Sequence, residues 1–211
     1  MRNQLTIASC ILFSGMMAFI ACTDKTSSES TTDSSNDSLA TSKMNYGGFE
    51  SQVKWGEHLV TIGGCNDCHT PKKMGPNGPE NDMSLMLSGH PAQQPPPAFD
   101  SKEAAAKGLI VTQSFTAWTG PWGTTYAVNL TSDSTGIGNW KEAQFVTALR
   151  EKKWMGLDGT RPLMPPMSMM PATLMTEDEL KAIFAYLKTT PAIKNVQPAA
   201  MLLPPPAAPT Q

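Results

Sequence analysis

Apolar positions along the chain fall into one unbroken run and several stripes spaced for helices. The stripe nearest the C-terminus is the clearest. Leu180, Ile183, Phe184 and Leu187 recur at i, i+3, i+4 and i+7, the spacing that turns one face of a helix towards a core. Thr176 stands three residues before Glu179, a capping box that starts this helix, and Pro191 ends the pattern. An earlier helix is predicted over Glu50 to Gly63, with Val53, Leu59 and Val60 on one side and Gly63-Gly64 as its stop. Another is predicted from Trp140 to about Lys153, capped by Asn139, with Phe145, Val146 and Leu149 on one face. Between them, Leu109-Ile110-Val111 and Tyr126-Ala127-Val128 are β-type runs too brief to build a sheet core. The Pro/Gly-rich stretch from Thr70 to Asp100 has no periodicity and is expected as an ordered loop. No internal repeat is present. The pattern predicts an all-α domain with long loops.

The unbroken run, Leu5 to Ala21, carries no charged residue and follows Arg2. Residues 1–21 are therefore expected to be a signal segment. Phe19-Ile20-Ala21-Cys22 resembles the lipobox of bacterial lipoproteins, in which the Cys is lipid-modified and becomes the first mature residue. A retained anchor helix and simple secretion are the alternatives. No Lys/Arg cluster follows the run, which favours cleavage, and all three readings put the folded part outside the cytoplasm. The expectation is an exported lipoprotein anchored through Cys22, facing the periplasm or cell surface. Residues 22–45 are rich in Ser and Thr and poor in large apolar residues, as a disordered tether is. Such a tether reaches roughly 25–30 Å. The folded domain is placed at 46–196, and the Pro/Ala-rich tail at 197–211 is expected to be disordered.

Length and charge narrow the field further. A chain of 211 residues suits one domain with appended segments. A formal net charge of -2 argues against a nucleic-acid partner, which needs a basic face, and leaves room for a small patch that steers a protein partner. Of four cysteines, Cys10 lies within the apolar run and Cys22 at the lipid site, leaving Cys65 and Cys68 for the folded part.

Those two cysteines belong to Cys65-Asn66-Asp67-Cys68-His69, a C-x-x-C-H sequence. Thiols three positions apart match the two vinyl groups on one edge of a haem, and the adjacent histidine is then held beneath the iron. Three plainer uses compete. A structural zinc site needs four protein ligands, a thioredoxin-type pair wants a βαβ setting, and a plain disulfide leaves His69 without a role. The spacing favours one covalent haem c on Cys65 and Cys68, with His69 as proximal ligand of the iron. A sixth ligand then decides between electron transfer and chemistry on a bound molecule. Methionine thioethers are concentrated at Met164, Met167, Met169 and Met170, between Pro162 and Pro171, where proline stiffens the presenting loop. His58 and His90 are the imidazole alternatives.

The chain resembles monohaem c-type cytochromes of bacteria, of the lipoprotein or dehydrogenase-associated type. The resemblance is carried by Gly63 through Pro71, by Asn129-Leu130-Thr131 with Thr135 through Trp140, by Arg161 onward through the Met-rich loop, and by Met175 through Leu187. It implies a cytochrome c-like domain and a distal methionine in the Pro-Met-Pro segment before the last helix. That position is Met167, although Ser168 stands where a Pro is usual, so Met164, Met169 and Met170 compete. It also implies that the first and last helices cross at Gly56, with Phe184 or Tyr186 against it. Trp118, Trp122 and Trp140 are pocket or core residues, and Lys72 and Lys73 a solvated pair or a docking rim.

The function implied is one-electron transfer without catalysis. The donor would be a dehydrogenase or quinol-oxidising complex, and the acceptor an oxidase or another cytochrome. A fixed relay within a dehydrogenase complex is the alternative. A haem enzyme or gas sensor with an open sixth position is a further one.

Overall fold

The computed structural model describes residues 45–204, so the signal segment, Cys22 and nearly all of the tether lie outside the described residues. Five helices follow in order: α1 (Gln52–Ile62), α2 (Cys65–His69), α3 (Ser101–Lys107), α4 (Glu142–Arg150) and α5 (Glu177–Leu187). The capping box of α5 forms as its sequence requires: the Thr176 hydroxyl accepts from Glu179 N–H, and the Glu179 carboxylate accepts from Thr176 N–H. Helix α4 starts later than expected. Its cap is Lys141 and makes no side-chain bond, so Asn139 does not serve.

The core is built where α1, α4 and α5 meet. Leu59 and Val60 of α1, Phe145 of α4 and Ile183, Phe184 and Leu187 of α5 are buried together with Leu87 and Ile137 from the loops. Phe145 and Phe184 stack at 5.3 Å between ring centroids. Helices α1 and α5 cross at Gly56. A Cβ there would strike the Ala182 carbonyl and come within 2.9 Å of Tyr186 Cβ, so the crossing requires the small residue. The opposing residues are Ala182 and Tyr186, with Phe184 turned to α4.

The all-α expectation fails on two antiparallel sheets. Strands β1 (Lys72–Gly75) and β2 (Gly78–Asn81) form a hairpin inside the stretch expected to be irregular. Strands β3 (Val111–Thr112), β4 (Ala117–Gly120), β5 (Gly123–Tyr126) and β6 (Met201–Leu202) form the second sheet in that order. Apolar alternation missed them because many buried residues in and beside the strands are hydroxyls: Thr116, Thr119, Thr124 and Thr125. Their polarity is satisfied internally, as by Thr119 Oγ1 and Thr124 Oγ1 at 2.9 Å. The turn chemistry did mark both hairpins. Gly75-Pro76-Asn77-Gly78 and Gly120-Pro121-Trp122-Gly123 share one pattern, with Pro presetting φ inside a two-residue loop and a closing glycine at positive φ. Helix α3 was not predicted; Asp100 caps two of its N–H groups and Gly108, left-handed, follows it.

The tail also departs from expectation: residues 201–202 pair with β5, and Leu203 N–H donates to Trp122 O at 2.9 Å. Upstream of it, Asn195 straps the C-terminal segment down, donating from Nδ2 to Ser88 O at 2.7 Å and His90 O at 2.8 Å.

His90 joins the second sheet to the loops. Its Nε2 faces Gln94 O at 3.0 Å, so Nε2 carries the proton, and Nδ1 accepts from Thr116 Oγ1 at 2.9 Å. Burial holds its pKa below the ordinary 6.5.

Two outcomes follow from this packing. Gly56→Val should cost about 3 kcal/mol in chemical denaturation, because the clash is with backbone that cannot repack. As pH falls through about 6.5, the unfolded chain protonates its His90 before the folded one does, and native stability drops. His90→Gln should therefore lose less stability than wild type between about pH 7 and about pH 5, read from urea midpoints at each pH.

Candidate haem site

Helix α1 ends at Ile62, and the chain reverses through Gly63 and the left-handed Gly64 (φ 64°) into the single turn of α2. One turn puts Cys65, Cys68 and His69 at i, i+3 and i+4, on one side of the helix. Among the described residues, both cysteines are free thiols and half-buried, and His69 is 4% exposed. Burial pushes the Cys65 thiol up to about 11 and raises that of Cys68 as well, so both are protonated at neutral pH. A thiol redox pair would need the opposite shift. Among the described residues no group of three or more His, Cys, Asp or Glu is arranged to hold a metal ion, so nothing there completes a zinc site around the two thiols.

His69 is held through its other nitrogen. Nδ1 lies 2.8 Å from Val128 O, and a carbonyl only accepts, so Nδ1 carries the proton. Burial lowers the ring's pKa, and the nearby Lys72 ammonium adds to this, outweighing the Val128 bond, so the imidazole is neutral. Its lone pair is on Nε2, which nothing hydrogen-bonds among the described residues. A neutral imidazole fixed by a backbone carbonyl at Nδ1 and free at Nε2 is the form that ligates a metal.

Two loop segments run side by side to hold that carbonyl. His90 N–H donates to Ala127 O at 2.9 Å and Leu130 N–H to Leu87 O at 2.8 Å, while Gly89 N–H donates to His69 O at 2.7 Å. Gly89 (φ 82°) admits the close approach, since a Cβ there would sit 2.6 Å from Val128 C. Asn129, next in sequence and 2% exposed, accepts from Thr131 N–H at Oδ1 and donates to Ile193 O at 2.7 Å from Nδ2. Thr70, fully buried, donates to Asn66 Oδ1 at 2.8 Å and accepts from Leu87 N–H at 2.9 Å, tying the α2 turn to the same wall. The sequence flagged Asn129 through Thr131 only by resemblance. Val128, Gly89 and Thr70 went unnoticed, because backbone carbonyls and their supports leave no pattern in residue types.

The Met-rich loop carries a short 3-10 turn at Met167–Met169. Met164, Met167 and Met170 are half-buried, whereas Met169 is 71% exposed. The imidazole alternatives are occupied elsewhere. Both ring nitrogens of His90 are hydrogen-bonded, to Thr116 and Gln94. His58 is exposed and stacks on Phe49 at 4.8 Å. Lys72 is neither a free surface residue nor an open rim: its Nζ donates to Asp67 O at 2.8 Å and Thr70 O at 2.6 Å, closing the C-terminal end of α2. Lys73 is exposed and faces Glu80 across the hairpin at 3.7 Å. Of the tryptophans, Trp140 packs on the core, Trp118 Nε1 donates to Phe115 O, and Trp122 Nε1 donates to Thr125 Oγ1.

Over 80 residues the chain is 35% identical to one of the subunits of nicotinate dehydrogenase from Pseudomonas putida. That stretch is 37% of this chain but 6% of the relative, so the chain spans a small fraction of that protein's length. The cytochrome c family model matches residues 53–191. This span takes in nearly all of α1, the C-x-x-C-H turn, the wall behind His69, the Met-rich loop and α5. The chain therefore belongs to the cytochrome c family, and its cofactor is covalently attached haem c.

Proposed function

We propose that this protein is a one-electron carrier with a single haem attached at Cys65 and Cys68, ligated by His69 and Met167. The observation that carries the reading is His69, buried, neutral and protonated at Nδ1, with Nε2 free. Bound haem supplies an iron that alternates between ferrous and ferric states while no substrate bond is made or broken. Cys65 and Cys68 would hold the haem through thioethers, each formed by adding S–H across a vinyl group, a step that would need no oxidant. Val128 O keeps the imidazole in one orientation, and its hydrogen bond makes Nε2 a better donor. The exposure of Met169 argues against it as ligand, and the resemblance favours Met167 over Met164 and Met170. A thioether in that position raises the potential and closes the iron to other molecules.

The dehydrogenase likeness supports a dehydrogenase as electron donor; an oxidase or another cytochrome would be the acceptor. The likeness equally supports the second reading, a haem-bearing relay within a dehydrogenase assembly. Lipid attachment at Cys22 with a Ser/Thr-rich tether would keep the domain among membrane partners outside the cytoplasm and raise its effective concentration there. No helix among the described residues is long and apolar enough to cross a membrane.

Absorption spectra of the purified protein in both redox states, with a haem assay, test this reading. One haem per chain and a weak sulfur-to-iron band in the ferric state are expected. Met167→Ala should abolish that band and let the ferrous protein bind carbon monoxide, while Met164→Ala and Met169→Ala leave both unchanged. Rapid carbon monoxide binding by the wild type would mean an open sixth position and sink the carrier assignment.

A further inference from the structure

The Met-rich loop has an anchoring problem that its composition creates. Four of the ten residues from Pro162 to Pro171 are prolines and offer no N–H. Of the remaining N–H groups, those of Ser168, Met169 and Met170 bond within the loop, to Met164 O, Pro166 O and Met167 O. Only Leu163 N–H reaches outside, to Lys152 O at 2.6 Å. Such a loop must be fixed through its carbonyls, by side-chain donors from elsewhere. Beside the local bond from Arg161 Nη1 to Pro162 O, two donors distant in sequence do this, and they straddle Met167. Lys152 Nζ donates to Ser168 O, one residue after it, and Thr125 Oγ1 donates to Pro165 O at 2.8 Å, two residues before it.

Thr125 is the better-defined of the pair. It is 8% exposed and sits in β5, forty residues away in sequence from its partner. Its hydroxyl has no rotational choice. Trp122 Nε1 can only donate, and it reaches Thr125 Oγ1 at 3.3 Å, so the single hydroxyl proton is committed to the Pro165 carbonyl. The Trp122 ring is itself folded over Gly120, where a Cβ would lie 2.6 Å from it. The sheet that the sequence pattern overlooked thus ends in one directed hydrogen bond to the loop.

We propose that Thr125 is a positioning residue for the distal methionine: its hydroxyl, fixed by Trp122, holds the Pro165 carbonyl and so keeps the Met-bearing loop closed. This rests on the reading that the loop supplies the iron's sixth ligand. Removing the bond strands a half-buried carbonyl and the Trp122 N–H, and the loop's open fraction rises.

The holoprotein variants Thr125→Val, Thr125→Ser and Thr119→Val test it, with Thr119→Val removing a hydroxyl from the same sheet without touching the loop. Thr125→Val should raise the rate of carbon monoxide binding to the ferrous protein about tenfold, the change expected when one hydrogen bond is lost and its partner stranded. The sulfur-to-iron band should then fade at a lower temperature, while Thr125→Ser and Thr119→Val stay close to wild type. If Thr125→Val does not fold, Trp122→Phe, which frees the hydroxyl to rotate, should shift both readouts in the same direction by a smaller factor. A wild type without the band overturns the ligand reading, and this inference with it. A wild type with the band, together with an unchanged Thr125→Val or an equal shift in Thr119→Val, overturns the role of Thr125 alone.

Discussion

A neutral imidazole can lend a metal only one nitrogen, and what holds the other nitrogen decides which. In this protein the holder is the Val128 carbonyl, 2.8 Å from His69 Nδ1. That one bond sets the tautomer, aims the ring, and leaves Nε2 as the donor of a buried histidine. Much of the surrounding architecture keeps the carbonyl in place. Gly89 lets the 87–90 segment lie against the Val128 peptide, Asn129 pins the next residue to Ile193, and Asn195 fastens the C-terminal strap over Ser88 and His90. The strap reaches this wall only because α5 ends at Leu187 in the core beside α1. The close crossing at Gly56 is therefore coupled to the site through covalent chain as well as packing.

The two sides of the site have different supports. The α2 turn with its cysteines hangs from α1 and is closed by Thr70 and by Lys72 at the start of β1. The Met-rich loop sits between the segment after α4, through Lys152, and the threonine-rich sheet, through Thr125. Loss of the Thr125 bond therefore acts on the loop, whereas the cysteine turn meets the sheet through His69 and the Val128 wall. Covalent attachment at Cys65 and Cys68 would not depend on the loop's hydrogen bonds.

Much of this was legible in residue types. The amphipathic stripe and capping box of α5, the glycine stop after α1 and the C-x-x-C-H turn each carry local chemistry, and local chemistry leaves local patterns. The four-stranded sheet was missed because its buried surroundings are built of Thr116, Thr119, Thr124 and Thr125, which read as polar until their hydroxyls are seen paired; no residue of β1 or β2 is buried at all. Both hairpins were nonetheless announced by the Gly-Pro-x-Gly turns at Gly75 and Gly120. The wall behind His69 left no trace of its role, because a carbonyl acceptor can belong to any residue, and only the fold brings Val128 within reach from fifty-nine positions away.

The roles of His69, Val128 and Thr125 all depend on Cys65 and Cys68 together holding one haem. Intact-mass measurement of the holoprotein, before and after denaturing alkylation, tests that most directly. A mass increase of one haem is expected, with neither Cys65 nor Cys68 open to alkylation. A chain without that added mass, or with both thiols alkylated in full, would contradict it.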